Sequence, residues 1–168
     1  MMELTEGLVT ALLKELYGGY EISFGERKID MTPPWRRATF CELLKECSGV
    51  SFEDEAGLVR KSKELGLETH GVTRDTMANN IFEQVVEQTL NNPTFVLDYP
   101  TSICPLTKAC EYDPRFAQRF ELYIASMEVA NSYSELNDAP EQDKRFREQL
   151  GTEADIVLAM IRVAFEVH

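Results

Sequence analysis

Histidine and basic charge are scarce in this chain. Its 168 residues include two histidines, His70 and His168. Neither stands in a nucleophile or metal pattern, so Ser–His and Cys–His catalysis have no support. The four cysteines, Cys41, Cys47, Cys104 and Cys110, form no C-x-x-C pair. Their spacing fits no common zinc pattern, and they read as reduced, partly buried thiols. Lys+Arg number 17 against 29 Asp+Glu, a formal net charge of −12. Nucleic acid is attracted by basic surface, so weak or no binding of RNA or DNA is expected from this chain alone. There is also no continuous apolar run of membrane length and no charged-then-apolar leader. No membrane association is expected, and a cytoplasmic protein is the default. A hydrophobic content of 43% with 27% charged residues reads as globular, and the length suits one domain with a real core.

The patterning switches period along the chain. Leu4, Leu8, Leu12 and Leu16 recur at i+4, widened by Val9 and Leu13, and predict a helix over 2–16 that Gly18-Gly19 stops. Tyr20 to Asp30 alternates around Gly25-Glu26 and predicts a short hairpin. Pro33-Pro34 imposes an extended link, and the segment 31–38 with Trp35, Arg36 and Arg37 is expected on the surface. Residues 39–92 read as helices. Thr39 and Glu42 form a capping box, a second helix runs from about Glu53 to Leu65, and Thr73 caps a third whose face includes Met77, Ile81, Phe82 and Val86. Thr94 to Tyr99 reads as a buried strand, and Asp138 and Glu141 flank Pro140 at the start of a polar helix reaching about Leu150. Helices interrupting two β regions predict an antiparallel α+β domain with a helical insertion at about 39–92. Residues 151–168 form an apolar tail, expected to be helical and to dock on a partner or integrate poorly.

The densest signal lies between Arg119 and Asp138, where acids and amides crowd a predicted hairpin. Residues 121–124 and 128–135 read as strands joined at Ala125-Ser126-Met127. Acids are poor strand formers. Folding there brings Glu121 and Glu128 to opposed or diagonal positions, and two such carboxylates repel unless a cation or proton lies between them. Magnesium uses paired carboxylates together with phosphate oxygens. On the second strand Val129, Asn131, Tyr133 and Glu135 share a face by period two. An amide, an aromatic wall and a carboxylate suit an ammonium ligand. The opposing reading is a set of solvent-facing strand acids. In it Asp138 serves only as a helix cap, and Arg119 pairs with a local carboxylate. Lys108 is a weak signal by itself.

Asn92-Pro93-Thr94-Phe95-Val96-Leu97-Asp98-Tyr99-Pro100, Pro105-Leu106-Thr107-Lys108, Arg119-Phe120-Glu121-Leu122 and Glu128-Val129-Ala130-Asn131-Ser132-Tyr133-Ser134-Glu135-Leu136-Asn137-Asp138 closely resemble class II lysyl-tRNA synthetases. Met2 to Glu6 and Thr32 to Arg37 resemble the same family in the same order. The resemblance covers about residues 1–150 and implies part of the class II antiparallel sheet with an inserted helical subdomain. It implies that Glu121 and Glu128 hold Mg2+ beside ATP, and that Asn131, Tyr133 and Glu135 form the lysine pocket, with Glu135 meeting the ε-ammonium. The family's activity is ATP-dependent activation of lysine and its transfer to tRNA.

Departures from the family are equally visible. The dimer-forming first motif, the Arg-x-Glu second motif that grips ATP, and the Gly-rich third motif ending in Asp-Arg are missing from these residues. Gly151 to His168 does not match the family's pattern. Cys104 stands where Ser is usual, Ala109-Cys110 where a basic pair is usual, and Ser132 where Ala or Gly is usual. The chain is expected to be a truncated catalytic-domain fragment, inactive alone. The competing expectations are a non-catalytic lysine-binding or interaction module, associating with a full-length synthetase or with itself, and a relative of a protein-lysylating ligase. Leu136-Asn137-Asp138 favours the tRNA enzyme.

Overall fold

The computed structural model describes residues 1–150, so the apolar tail at 151–168 lies outside the described residues. In chain order the elements are α1 (Met2–Tyr17), β1 (Glu21–Phe24), β2 (Arg27–Asp30), β3 (Arg36–Thr39), α2 (Phe40–Ser48), α3 (Glu55–Glu64), α4 (Arg74–Ile81), β4 (Thr94–Leu97), β5 (Arg119–Ile124), β6 (Met127–Tyr133) and α5 (Ala139–Leu150). A π-helical turn (Phe82–Val86) and a 3-10 turn (Glu87–Thr89) continue α4. No helix among the described residues is long and apolar enough to cross a membrane.

Local chemistry places most boundaries. Gly18 takes the left-handed conformation that ends α1, with φ of 70°, which costs a residue without Cβ little. The capping box forms as expected: Thr39 Oγ1 accepts from the Glu42 amide at 3.2 Å, and the Glu42 carboxylate accepts from the Thr39 amide at 2.8 Å. Asp54 and Thr73 cap α3 and α4. Asp138 accepts from the Glu141 amide at 3.1 Å, giving α5 its cap.

The sheet order is β3-β4-β5-β6. β3 runs parallel to β4, while β4–β5 and β5–β6 are antiparallel. The sheet is therefore mixed rather than purely antiparallel, and β6 is an edge among the described strands. Residues 36–39 are a strand rather than part of an extended surface link. Arg36 and Arg37 are exposed as expected, but Trp35 is only 4% exposed. Its ring packs 5.8 Å from Phe95, and its indole N–H donates to the Met31 carbonyl at 3.0 Å, which satisfies the buried donor. The link through Pro33 and Pro34 contains a cis peptide bond.

Two apolar clusters cover the two faces of the sheet. On one face Phe40, Leu43, Leu44, Ile81, Phe82 and Val86 from the helices pack with Val96, Tyr99, Ala117 and Tyr123. Phe40 and Phe82 stack at 4.5 Å. The helices between β3 and β4 thus share the sheet's own core as a layer upon it. The other face, with Phe95 and Leu122, is covered by Leu13 of α1, Ile29, Met31 and Trp35. α1 forms where its pattern places it but docks on the flank of its leucine stripe. Leu13 is buried, whereas Leu4, Leu8, Leu12 and Leu16 stay exposed.

Candidate functional site

Strand alternation sends Arg119, Glu121 and Tyr123 of β5 to the helix-covered face of the sheet. Their partners across the ladder are Tyr133, Asn131 and Glu128. The turn between the strands is Ala125-Ser126, both residues having positive φ (56° and 63°). Such a two-residue turn matches the twist of the strands it joins. The Arg27 guanidinium donates to the Ala125 carbonyl at 2.7 Å and to Ser126 Oγ at 3.1 Å, so the first hairpin braces the second.

One extra residue sets the composition of this face. The register slips between Leu122 and Tyr123, which pair with Ala130 and Glu128 and leave Val129 inserted as a bulge. Glu128 thereby takes the place on the face that period two assigns to Val129. Glu121 and Glu128 end up diagonal, one ladder step apart, as expected for a hairpin folded at this turn.

Glu121 is the hub. Its residue is 4% exposed. Oε2 accepts from the Tyr99 hydroxyl at 2.5 Å and lies 2.8 Å from the Tyr123 hydroxyl. Oε1 pairs with the Arg119 guanidinium and lies 3.5 Å from Asn131 Nδ2. Arg119 also donates to Cys104 Sγ at 3.3 Å and stacks 5.0 Å above the Tyr99 ring. Burial first, then the Glu121 charge, push the Tyr99 and Tyr123 phenols well above the ordinary tyrosine range. Both are fixed hydrogen-bonding groups rather than acids at neutral pH.

Two cavities flank this hub. One of about 280 Å³ is lined by Glu83, Glu87, Tyr99, Glu121, Tyr123 and Glu128 among others. The second, about 140 Å³, brings Asn131 and Tyr133 together with Cys104, Thr107 and Arg119. Asn131 and Tyr133 are exposed, because β6 is an edge. Glu135 lies beyond the end of β6 and pairs with Thr107 in a short antiparallel bridge. The Lys108 amide donates to the Ser134 carbonyl at 2.8 Å, and the Leu136 amide to the Leu106 carbonyl at 2.8 Å. The segment Pro105–Lys108 is therefore the support that fixes Glu135. Lys108 itself contributes through its backbone.

A divalent ion needs free carboxylate oxygens. The carboxylate of Glu128 accepts no hydrogen bond among the described residues. The four lone-pair positions of Glu121 all face protein donors, one of them a guanidinium. In this arrangement the pair does not fit a directly coordinated ion, and no group of three His, Cys, Asp or Glu able to hold a metal is found among the described residues. The period-two pattern puts Asn131 and Tyr133 on one face together with Val129 and Glu135; in the structure the bulge gives the place of Val129 to Glu128, Glu135 lies beyond the strand, and Glu121 joins the face as the partner of Asn131. Sequence reasoning missed Tyr99 and Tyr123 as donors to Glu121. Tyr123, two residues after Glu121 on the same strand, carried a readable signal. Glu87, brought in from 34 positions upstream by the helical layer, carried none.

Known proteins are similar to this chain in sequence. Residues 1–159 match the family model described as tRNA synthetases class II (D, K and N). A lysine–tRNA ligase of Thermoanaerobacter sp. (strain X514) is 44% identical over 154 residues. Those of Clostridium acetobutylicum and Bacillus subtilis (strain 168) are each 41% identical, over 157 and 155 residues. Each alignment covers 89% of this chain, which spans about a third of each relative's length, 30–31%.

Proposed function

Because the chain belongs to the class II tRNA synthetases (D, K and N), we propose that it carries the lysine-recognition part of a lysine–tRNA ligase. That ligase would act in the cytoplasm, with lysine, ATP and tRNA as substrates and Mg2+ as the ion accompanying ATP. The observation that supports this best is the convergence of Asn131 and Tyr133 on one cavity wall, with Glu135 two residues further along the same run of chain. Asn131 supplies an amide for the polar end of an amino acid. Tyr133 supplies an aromatic wall for the aliphatic stem. Glu135 meets the ε-ammonium, where a cation leaving water needs a carboxylate.

The chain's own groups position the substrate and neutralise its charge. Arg119 is held by Glu121, Cys104 and Tyr99, so the wall behind Asn131 is pre-set before a ligand arrives. Such preorganisation lowers the cost of binding. Mg2+, when bound, would offset phosphate charge. Glu128 is the carboxylate left free to face it, whereas Glu121 is engaged by protein donors. The arginines that grip ATP in this family have no counterpart in these 168 residues. The chain on its own is therefore expected to bind lysine without activating it. Calorimetric titration with lysine tests the reading, with norleucine, which lacks the amine, as the control. Lysine bound no better than norleucine overturns it.

A further inference from the structure

Glu135 stands past the end of β6, and its bridge to Thr107 fixes it there. The two bonds of that bridge, from the Lys108 amide to the Ser134 carbonyl and from the Leu136 amide to the Leu106 carbonyl, fall on either side of the pair. In an antiparallel pair of this kind the backbone groups of the paired residues point away from each other. The Thr107 carbonyl is thus turned away from Glu135, on a residue only 3% exposed. A buried carbonyl without a donor is costly. Arg145 of α5, 38 positions along the chain, supplies the donor: its Nη1 donates to the Thr107 carbonyl at 2.6 Å. The Arg145 side chain is 12% exposed, and its Nε donates to Glu141 Oε1 at 2.9 Å, one turn earlier on α5. The planar guanidinium serves both acceptors at once, because its N–H groups form a rigid fork. The Glu141 amide is in turn bound by the Asp138 side chain. The chain from Glu135 through Asp138, Glu141 and Arg145 thereby returns to Thr107 and closes on itself.

We propose that Arg145 is a positioning residue for the ammonium end of the ligand, holding Thr107 so that the bridge sets where Glu135 stands. The inference rests on the lysine reading of the site and goes beyond the residues that reading names. In this role Arg145 touches no ligand. It acts through the backbone of Thr107, which lines the same cavity as Asn131 and Tyr133. Glu135 is exposed, and an exposed carboxylate on an unfixed segment must be ordered when a cation binds, which weakens binding. Fixing its backbone beforehand lowers that cost. Asn131 and Tyr133 are held separately, by their ladder partners Glu121 and Arg119 on β5. Loss of Arg145 therefore acts on the ammonium contact and not on the amide and aromatic ones. Glu141 pairs with the guanidinium, which lessens its repulsion of an incoming ammonium.

Calorimetry with lysine and with norleucine, on the full 168-residue chain and its Arg145→Met and Arg145→Lys variants, tests the inference. Met keeps an apolar stem and removes the donor. Lys returns a charged donor without the fork. Arg145→Met is expected to weaken lysine binding roughly three- to tenfold, the cost of ordering one side chain, with norleucine unchanged. Arg145→Lys is expected to recover part of that loss. Amide hydrogen exchange by NMR gives a readout without ligand. In Arg145→Met the Lys108 and Leu136 amides are expected to lose protection while those of the β5–β6 ladder keep theirs. Lysine binding unchanged in Arg145→Met, equal weakening of lysine and norleucine, or protection retained at Lys108 and Leu136 each overturns the inference, as does no recovery in Arg145→Lys. An unaltered chain that binds lysine no better than norleucine overturns the lysine reading itself, and the inference falls with it. The unaltered chain thus tells the two failures apart. If Arg145→Met does not fold, Glu141→Ala, which frees the guanidinium to swing away from Thr107, is measured in its place. A preference for lysine over norleucine as large as in the unaltered chain then overturns the inference.

Discussion

Glu128 and Asn131 are three residues apart on β6, yet they share one face of the sheet. In a regular strand an odd separation puts two side chains on opposite faces. The insertion of Val129 between the Tyr123–Glu128 and Leu122–Ala130 pairs absorbs the odd residue.

Deleting Val129 should remove the bulge and leave Glu128 opposite Tyr123 on the face it shares with Asn131, because with one residue fewer strict alternation gives the same pairs. The expected cost is therefore small, about 1 kcal/mol or less in urea unfolding. A much larger loss would show that the hairpin depends on the local twist of the bulge as well as on the face it sets.

Glu135→Gln should weaken lysine binding by at least roughly tenfold, because losing a charged partner costs about 2–5 kcal/mol and about 1.4 kcal/mol is one decade. Glu135 is exposed in this structure, so the lower end of that range applies. Calorimetry on both proteins checks it. Equal affinities would remove Glu135 from the pocket while leaving Asn131 and Tyr133 to be tested by the same titration.

Phe40→Ala should destabilise the domain by about 3–5 kcal/mol. The ring is fully buried, stacks 4.5 Å from Phe82 and lies 5.4 Å from Tyr99, so no solvent or mobile loop can fill the space. Thr39→Ala, one residue earlier, should cost only about 1 kcal/mol through the lost cap. Urea midpoints that reverse this order would show that the helical layer depends on its cap more than on its aromatic core.

Alkaline pH should weaken the fold through Cys41. Burial, and after it the Glu53 charge, push this thiol up to about 12. The neutral thiol is thus favoured in the folded state. Its contribution is complete below the unfolded thiol's pKa of about 8.5 and is lost as pH rises toward about 12. Cys41→Ser, whose hydroxyl does not titrate in that window, should flatten the decline of the unfolding midpoint above pH 9. Cys41 should also react slowly with a thiol-specific reagent at pH 8, because the thiolate is the nucleophile. A burst of labelling at Cys41 would contradict its burial.

Much of this molecule is local and therefore legible in the sequence. α1 ends at Gly18, α2 opens on the Thr39–Glu42 box, α4 opens on Thr73, and the β5–β6 hairpin turns at Ala125-Ser126. Each depends on a few neighbouring residues whose backbone preferences and short hydrogen bonds settle the matter alone. The kinship was also in the sequence, because the run from Asn131 to Asp138 carries side-chain identities that no packing argument is needed to read. The rest came from contacts between distant segments. Trp35 is buried because Phe95, 60 positions away, offers a ring and Met31 offers a carbonyl. β3 is a strand because β4 lies beside it, not because four residues with two arginines prefer that state. The leucine stripe of α1 stays outside because the sheet face fits Leu13 and Val9 instead. Glu121 is fixed by Tyr99, Arg119 and Tyr123 rather than left to face its neighbour Glu128. Sequence spacing alone could not choose among those partners, since hydrogen bonds form between the groups that tertiary packing brings within 3 Å of each other.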